Sequence, residues 1–187
     1  MTDLLGWARE RSASLLSAPL PRRWAHVQGV AEHAQTATPL FGVTDRELLV
    51  AAALLHDVGY SPGIAHTGFH PLDGARHLRD VGADRRLCAL VAHHSFAYRE
   101  AELRGLSAEL CEWVDEETPL RDALWWADMT TSPDGQPVGF DDRLKEAQER
   151  YGPQDLVTFF LRQAEPELRG AVERTQERLQ AAGISYE

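Results

Sequence analysis

The sequence is poor in lysine and in long apolar runs. Lys145 is the only lysine among 19 basic residues, and 29 acidic residues bring the net charge to -10. This balance argues against binding to a nucleic-acid polymer, which needs a basic surface. No run approaches the roughly 18 apolar residues of a membrane span, so we expect no membrane partner. The first ten residues carry acidic groups and Trp7 instead of a basic segment before an apolar core, so no signal peptide is indicated.

Cysteine is also scarce. Cys88 and Cys111 match no metal-binding pair pattern and are too few for a disulfide framework. We expect both to be buried thiols of a cytoplasmic protein. The length of 187 residues and the hydrophobic fraction of 43% predict one domain over residues 1–187.

Alternating strand patterns are absent, whereas apolar residues recur at helical spacing through most of the chain. The fold class is therefore predicted to be all-α, a single-domain helical bundle. The predicted helices lie at 4–18, 22–38, 44–57, 70–81, 84–94, 107–115, 119–128, 142–151, 153–164 and 167–182. A capping box is predicted at Thr44 and Glu47, with Gly59 as the stop of that helix. The last, highly charged segment is expected to be a solvated outer helix.

Histidine is concentrated in one part of the sequence, since all eight residues lie between His26 and His94. His56 and Asp57 end the most apolar predicted helix, and His26 and Asp128 also lie on apolar helical faces. Burying an imidazole or a carboxylate costs several kcal/mol unless the group is paired or bound to a cation. A lone histidine on such a face is usually structural, but this ordered set of four predicts a metal site. His70 and the pair His93–His94 add further nitrogen donors.

The order His26, His56–Asp57, Asp128 resembles the H…HD…D signature of the HD-domain superfamily of metal-dependent phosphohydrolases. Arg23–His26 resembles the RxxH form of its first motif. Residues 70–75 (HPLDGA) resemble the HPxxGA element of members that carry a second metal. The resemblance covers about residues 22–143, with C-terminal helices at 142–182, and its pattern is most similar to YqeK-like and HD-GYP-like members. The GYP motif itself is absent, and Tyr60 stands where many relatives have a lysine.

The resemblance implies divalent cations, expected to be two, drawn from Fe, Mn, Zn, Ni or Mg. One would be held by His26, His56, Asp57 and Asp128. The second would be held by His70 and His94 with Asp57 bridging, and His93 remains an alternative ligand because HD-GYP members use a histidine pair. Such cations would activate a water as hydroxide for attack on phosphorus.

The substrate contacts are predicted less directly. Arg23 lies one helical turn before His26, so we expect it to bind a substrate phosphate and to act in catalysis with Asp57. Thr130 and Thr131 are expected to form one wall of the pocket. A surface role for Arg23 and a helix-capping role for the threonines are the alternatives.

The sequence therefore predicts a metal-dependent phosphohydrolase that cleaves a phosphoester or phosphoanhydride of a small phosphorylated substrate, expected to be a nucleotide. A monoester, a diester and a dinucleoside polyphosphate all fit this prediction. An HD-fold di-iron oxygenase and a non-catalytic metal- or nucleotide-binding module are the alternatives.

Overall fold

The computed structural model describes residues 3–186, which form ten α-helices and contain no strand. The all-α prediction is confirmed. The helices are α1 (Leu4–Leu16), α2 (Pro21–Ala37), α3 (Val43–Leu55), α4 (His70–Asp80), α5 (Arg85–Ala92), α6 (Ala97–Arg104), α7 (Ser107–Leu110), α8 (Pro119–Met129), α9 (Phe140–Tyr151) and α10 (Leu156–Ala181). Within these residues, no helix combines the length and the apolarity that a membrane crossing requires.

Helix α3 lies at the centre of the bundle. Every residue of 48–55 is buried, and the helix packs against α1, α2, α5 and α8. A helix that is apolar on all sides must be covered on all sides, and this requirement explains its central position. The polar pair that follows it, His56 and Asp57, is thereby held inside the molecule.

Two predicted helix boundaries at α3 are wrong. The helix begins at Val43, and Gly42, not Thr44, occupies the cap position without a side-chain hydrogen bond. The Gly42 carbonyl accepts from the Arg46 N–H at 3.0 Å, so Thr44 already lies in the first turn. Gly59 is not the helix stop either, because α3 ends at Leu55 and Gly59 lies in a 3-10 turn, Val58–Tyr60.

The last helix differs from the prediction in its length and in its burial. Residues 156–181 form one helix that runs through Pro166, not two helices. Helix α10 packs against α6, α8 and α9 and buries Leu168, Val172 and Leu179, so it is not a solvated outer helix.

Two smaller predictions also need correction. Cys88 is buried, but Cys111 is exposed because it follows the one-turn helix α7 at the surface. Helix α6 was not predicted, since its sequence is mostly polar and only its alanines and Glu100 are buried.

Candidate metal centre

Three buried side chains from three different helical regions meet at the first candidate site. His26 lies on α2, His56 directly follows α3, and Asp128 lies near the end of α8. Nε2 of His26 is 3.1 Å and Nε2 of His56 is 3.8 Å from Oδ1 of Asp128. We call these residues the first set, and their ligand atoms lie within 4.8 Å of one another.

A second set consists of Asp57, His70 and His94, again within 4.8 Å of one another. His70 is the first residue of α4, and His94 follows α5 in a 3-10 turn. Nε2 of His70 is 3.3 Å from Oδ1 of Asp57 and 3.0 Å from Nε2 of His94. Two ring nitrogens at this distance share at most one proton, so at least one of them presents a lone pair.

Asp57 lies between the two sets. Its Oδ1 faces the second set, whereas its Oδ2 is 3.5 Å from Nε2 of His56 and 3.9 Å from Nε2 of His26. Each carboxylate oxygen therefore serves a different group of histidines.

Backbone carbonyls orient three of the imidazoles. Nδ1 lies 2.9 Å from the Ser132 carbonyl in His26, 2.7 Å from the Ala53 carbonyl in His56 and 2.7 Å from the Val91 carbonyl in His94. When Nδ1 donates to a carbonyl, Nε2 presents its lone pair toward the set, which is how metal-binding histidines are fixed.

The donor set fits a divalent cation. Nε2 of His56 is buried and has no hydrogen-bond partner among residues 3–186, a costly state that a cation would relieve. Imidazole with carboxylate suits zinc, iron, manganese or nickel. The two sets, buried except for the half-buried His70, can therefore hold metal.

The protonation states also suit metal binding. Burial opposes ionisation of Asp57, but the charge of Arg23 and a hydrogen bond from His70 hold its pKa well below the usual value. Burial likewise opposes ionisation of Asp128, whose pKa is lowered by the neighbouring His26 and His56. Burial lowers the pKa of His70 to about 3 and also lowers that of His94. Ionised carboxylates and neutral imidazoles are the forms that bind metal.

Arg23 lies beside the bridging carboxylate. Its Nη1 donates to Oδ2 of Asp57 at 2.7 Å, and its guanidinium lies 4.0 Å from the centre of the Tyr60 ring. Tyr60 in turn stacks on His70 at 3.9 Å with an angle of 17° between the rings. Burial opposes the charge of Arg23, but Asp57 and Tyr60 raise its pKa above the usual value, so the guanidinium stays charged.

A close backbone approach positions His70. A Cβ on Gly59 would lie 1.9 Å from the His70 carbonyl oxygen and 2.7 Å from the Gly74 nitrogen. Only glycine permits this contact, which brings the start of α4 against the turn that follows Asp57. Gly59, which the sequence predicted as a helix stop, therefore allows His70 to lie close to Asp57 in the second set.

Ser95 is a site residue that sequence reasoning missed. Its hydroxyl donates to Oδ2 of Asp128, and its backbone has φ +49, followed by φ +58 at Phe96. Left-handed conformations are uncommon in non-glycine residues and occur often at functional sites. The sequence at 93–95 (HHS) indicates a histidine pair, but it does not predict a left-handed turn.

His93 does not join either set. Its Nε2 lies 3.0 Å from the Trp113 carbonyl, and its own carbonyl accepts from the Trp125 indole at 3.0 Å. Helix α5 ends at Ala92, and the tight turn after it directs His94 toward Asp57 and His93 toward Trp113.

The two threonines lie away from the cavity over the sets. Their hydroxyls donate to the carbonyls of Trp126, at 2.6 Å from Thr130, and Ala127, at 2.7 Å from Thr131. Both residues are buried, and neither lines that cavity. Their hydroxyls satisfy backbone carbonyls at the end of α8, in line with the capping alternative.

Instead, the cavity wall includes residues from α9 that sequence reasoning did not select. Arg143 is buried and donates to Oε2 of Glu146 at 2.8 Å, and Arg150 also lines the cavity. Their helix is rich in charged residues of both signs and carried no signal, because such residues are usually surface groups.

Comparison with known families gives one match, the HD domain, over residues 23–134. This region contains every residue of both sets. Comparison with curated proteins and with solved structures gives no match. The matched region spans more than half of the sequence, and the chain belongs to the HD-domain family.

Proposed function

We propose that this protein is a metal-dependent phosphohydrolase that acts on a small phosphorylated substrate, with a nucleotide as the expected class. HD domains are generally metal-dependent hydrolases. The observation that carries the proposal is the position of Asp57, whose two oxygens face different histidine groups.

In this proposal, the two sets would hold two divalent cations. His26, His56, Asp57 and Asp128 would hold the first, and Asp57, His70 and His94 would hold the second. Divalent cations supply a nucleophilic water at neutral pH and neutralise charge on phosphoryl oxygens.

In this proposal, Arg23 binds the substrate and Ser95 orients a metal ligand. Arg23 is a permanent charge beside Asp57, and its guanidinium suits two oxygens of a phosphate. The Ser95 hydroxyl fixes one oxygen of Asp128, so the other stays directed at His26 and His56. Five of the six residues of the two sets are buried and His70 is half-buried, and the low polarity of this environment strengthens these electrostatic contacts.

The first test removes the shared carboxylate. We expect purified protein to retain divalent metal and to hydrolyse at least one member of a panel of phosphomonoesters, diesters and dinucleoside polyphosphates. Asp57→Ala should lose metal from both sets and lower kcat/KM at least about a thousandfold, because several kcal/mol of charge stabilisation disappear. Elemental analysis and panel turnover measure these effects.

Asp142→Ala is the matched control, since Asp142 is an exposed aspartate in the first turn of α9. It should keep both metal and activity. Unchanged metal content and activity in Asp57→Ala would refute the proposal. Oxygen-dependent turnover without phosphatase activity would indicate the oxygenase, and ligand-induced stabilisation without turnover would indicate the binding module.

A further inference from the structure

The imidazole of His26 is oriented by a distant part of the chain. In His56 and His94, Nδ1 faces the carbonyl of the residue three positions earlier, so the orientation of these two rings is set locally. Nδ1 of His26 instead lies 2.9 Å from the carbonyl oxygen of Ser132, 106 residues further along the sequence. The orientation of His26 therefore depends on the contacts that hold Ser132 beside α2.

Ser132 opens a closed turn, residues 132–135, which we call the SPDG turn. The Ser132 carbonyl accepts from the Gly135 N–H at 2.9 Å, and the Ser132 N–H donates to the Gln136 carbonyl at 2.7 Å. Proline in the second position and glycine in the fourth suit such a turn, and Gly135 has φ +80, which glycine adopts without strain. A carbonyl oxygen has two lone pairs, so the Ser132 oxygen can close the turn and also accept from Nδ1 of His26.

Two glycines allow the SPDG turn to lie directly on α2. A Cβ on Gly29 would lie 2.5 Å from Cα of Gly135, and a Cβ on Gly135 would lie 2.5 Å from the Ala25 carbonyl oxygen. No larger residue fits at either position without moving the backbone. Gly29 is also in the middle of α2, where glycine is a poor helix former. The close approach of the turn explains why a glycine stands there.

An ion pair also joins the SPDG turn to α2. Nε of Arg22 lies 2.8 Å from Oδ1 of Asp134, but both side chains are exposed. Exposed ion pairs contribute little to stability. The distance between the turn and His26 is therefore set by the buried backbone contact at Gly29.

We propose that Gly29 and Gly135 are positioning residues of the first set, because their contact holds the Ser132 carbonyl against Nδ1 of His26. With Nδ1 held there, Nε2 of His26 is directed at Oδ1 of Asp128, 3.1 Å away. Gly29 lies three residues after His26 and so on the same face of α2. This inference rests on the proposed function, since it gives the two glycines a part in metal binding.

The first test needs no metal. Nitrogen-15 NMR of metal-free wild type should show protected Nδ1–H protons for His26, His56 and His94, and His26→Gln identifies the first by its absence. Gly29→Ala should speed the exchange of the His26 proton with solvent at least about tenfold, because the turn that covers it is displaced. The protons of His56 and His94 should stay protected in the same sample.

Two further variants make this test specific. Gly135→Ala disturbs the same contact from the opposite side, so it should affect the same proton and serves if Gly29→Ala does not fold. Gly63→Ala is the matched control, since a Cβ there meets no described atom within 4 Å. It should leave the protection of all three protons unchanged.

The second test measures metal affinity in a His70→Gln background, which leaves only the first set complete. Calorimetric titration with Zn²⁺ should show affinity about tenfold to a hundredfold weaker in Gly29→Ala, the scale on which groups that orient a ligand histidine contribute. Gly29→Ala combined with Gly135→Ala should bind no more weakly than the weaker single variant, because both changes remove one contact.

Three outcomes would overturn the inference: protection of the His26 proton in both glycine variants, equal loss of protection at all three histidines, or unchanged Zn²⁺ affinity in the glycine variants. A selective loss of protection at His26, together with no Zn²⁺ binding by wild type, would refute the proposed function. That result would still support the role of the two glycines in orienting His26.

Discussion

Tyr60 lies between Arg23 and His70 of the second set. Its ring lies between the Arg23 guanidinium, at 4.0 Å from the ring centre, and the His70 imidazole, at 3.9 Å. A desolvated cation over an aromatic ring gains about 0.5–2 kcal/mol. The Tyr60 ring therefore acts as a spacer that fixes its two neighbours.

This stack predicts different outcomes for two substitutions of Tyr60. Tyr60→Leu should weaken metal binding at the second set about tenfold to a hundredfold, because groups that orient a ligand histidine contribute to affinity on that scale. Tyr60→Phe keeps the ring and should stay within about twofold of wild type. Calorimetric titration of metal-free protein with Zn²⁺ measures both. Equal affinity for wild type and Tyr60→Leu would show that the stack does not position His70.

The site residues divide into those that sequence reasoning could find and those that depend on tertiary structure. His56, Asp57 and Asp128 stood out because polar groups on apolar helical faces need a partner. Ser95 and Arg150 did not stand out, because serine after a helix and arginine on a polar helix are ordinary surface features. Only the left-handed turn at Ser95 and the packing of α9 bring them to the site.

At the scale of elements, α10 shows where local propensity fails. Proline removes one helical hydrogen bond and crowds the preceding turn, at a cost of about 3 kcal/mol. Pro166 is nevertheless inside α10, because Phe160, Leu161 and Leu168 are buried on both sides of it. Burying each such side chain contributes about 1.5–3 kcal/mol, so packing outweighs the proline. Pro166 itself is exposed, so the carbonyl that loses its donor can bind water.

Because α10 continues through Pro166, we predict that Pro166→Ala stabilises the protein. The free energy of unfolding should rise by about 1–2 kcal/mol, less than the full cost of proline because alanine also frees the unfolded chain. Urea unfolding measures the change. Pro119→Ala is the matched control, since Pro119 opens α8, where proline is tolerated, and it should give no gain. A decrease in stability for Pro166→Ala would contradict a continuous helix.

At the scale of the whole molecule, the sequence carries a net charge of -10. An acidic exterior disfavours polyanions. The cavity over the two sets is lined by three arginines, Arg23, Arg143 and Arg150, together with three carboxylates, Asp57, Glu100 and Asp128. Composition alone predicted the acidic exterior, but the position of Arg143 and Arg150 at the cavity depends on the packing of α9. The prediction that residues 1–187 form one domain stays a prediction.

The folded molecule also binds fewer protons than the unfolded chain in mildly acidic solution. Burial lowers the pKa of His33 from 6.5 to about 4, where its ring packs 4.0 Å from that of Trp126. Burial also lowers the pKa values of His70 and His94. A lowered histidine pKa gives stability that is complete above pH 6.5 and is lost as the pH falls toward the folded value.

His33 therefore predicts a specific acid sensitivity. Between pH 7.5 and 5, its share of the loss in unfolding free energy is at most about 2 kcal/mol, since each unit of pKa difference corresponds to about 1.4 kcal/mol. His33→Gln cannot take up the proton, so its loss over this interval should be about 1–2 kcal/mol smaller than that of wild type. Urea unfolding at both pH values measures the difference, and any destabilisation by the substitution itself cancels between them. His66→Gln, at an exposed histidine, should lose as much as wild type. An equal loss in His33→Gln and wild type would show that the His33 ring is protonated alike in the folded and unfolded states.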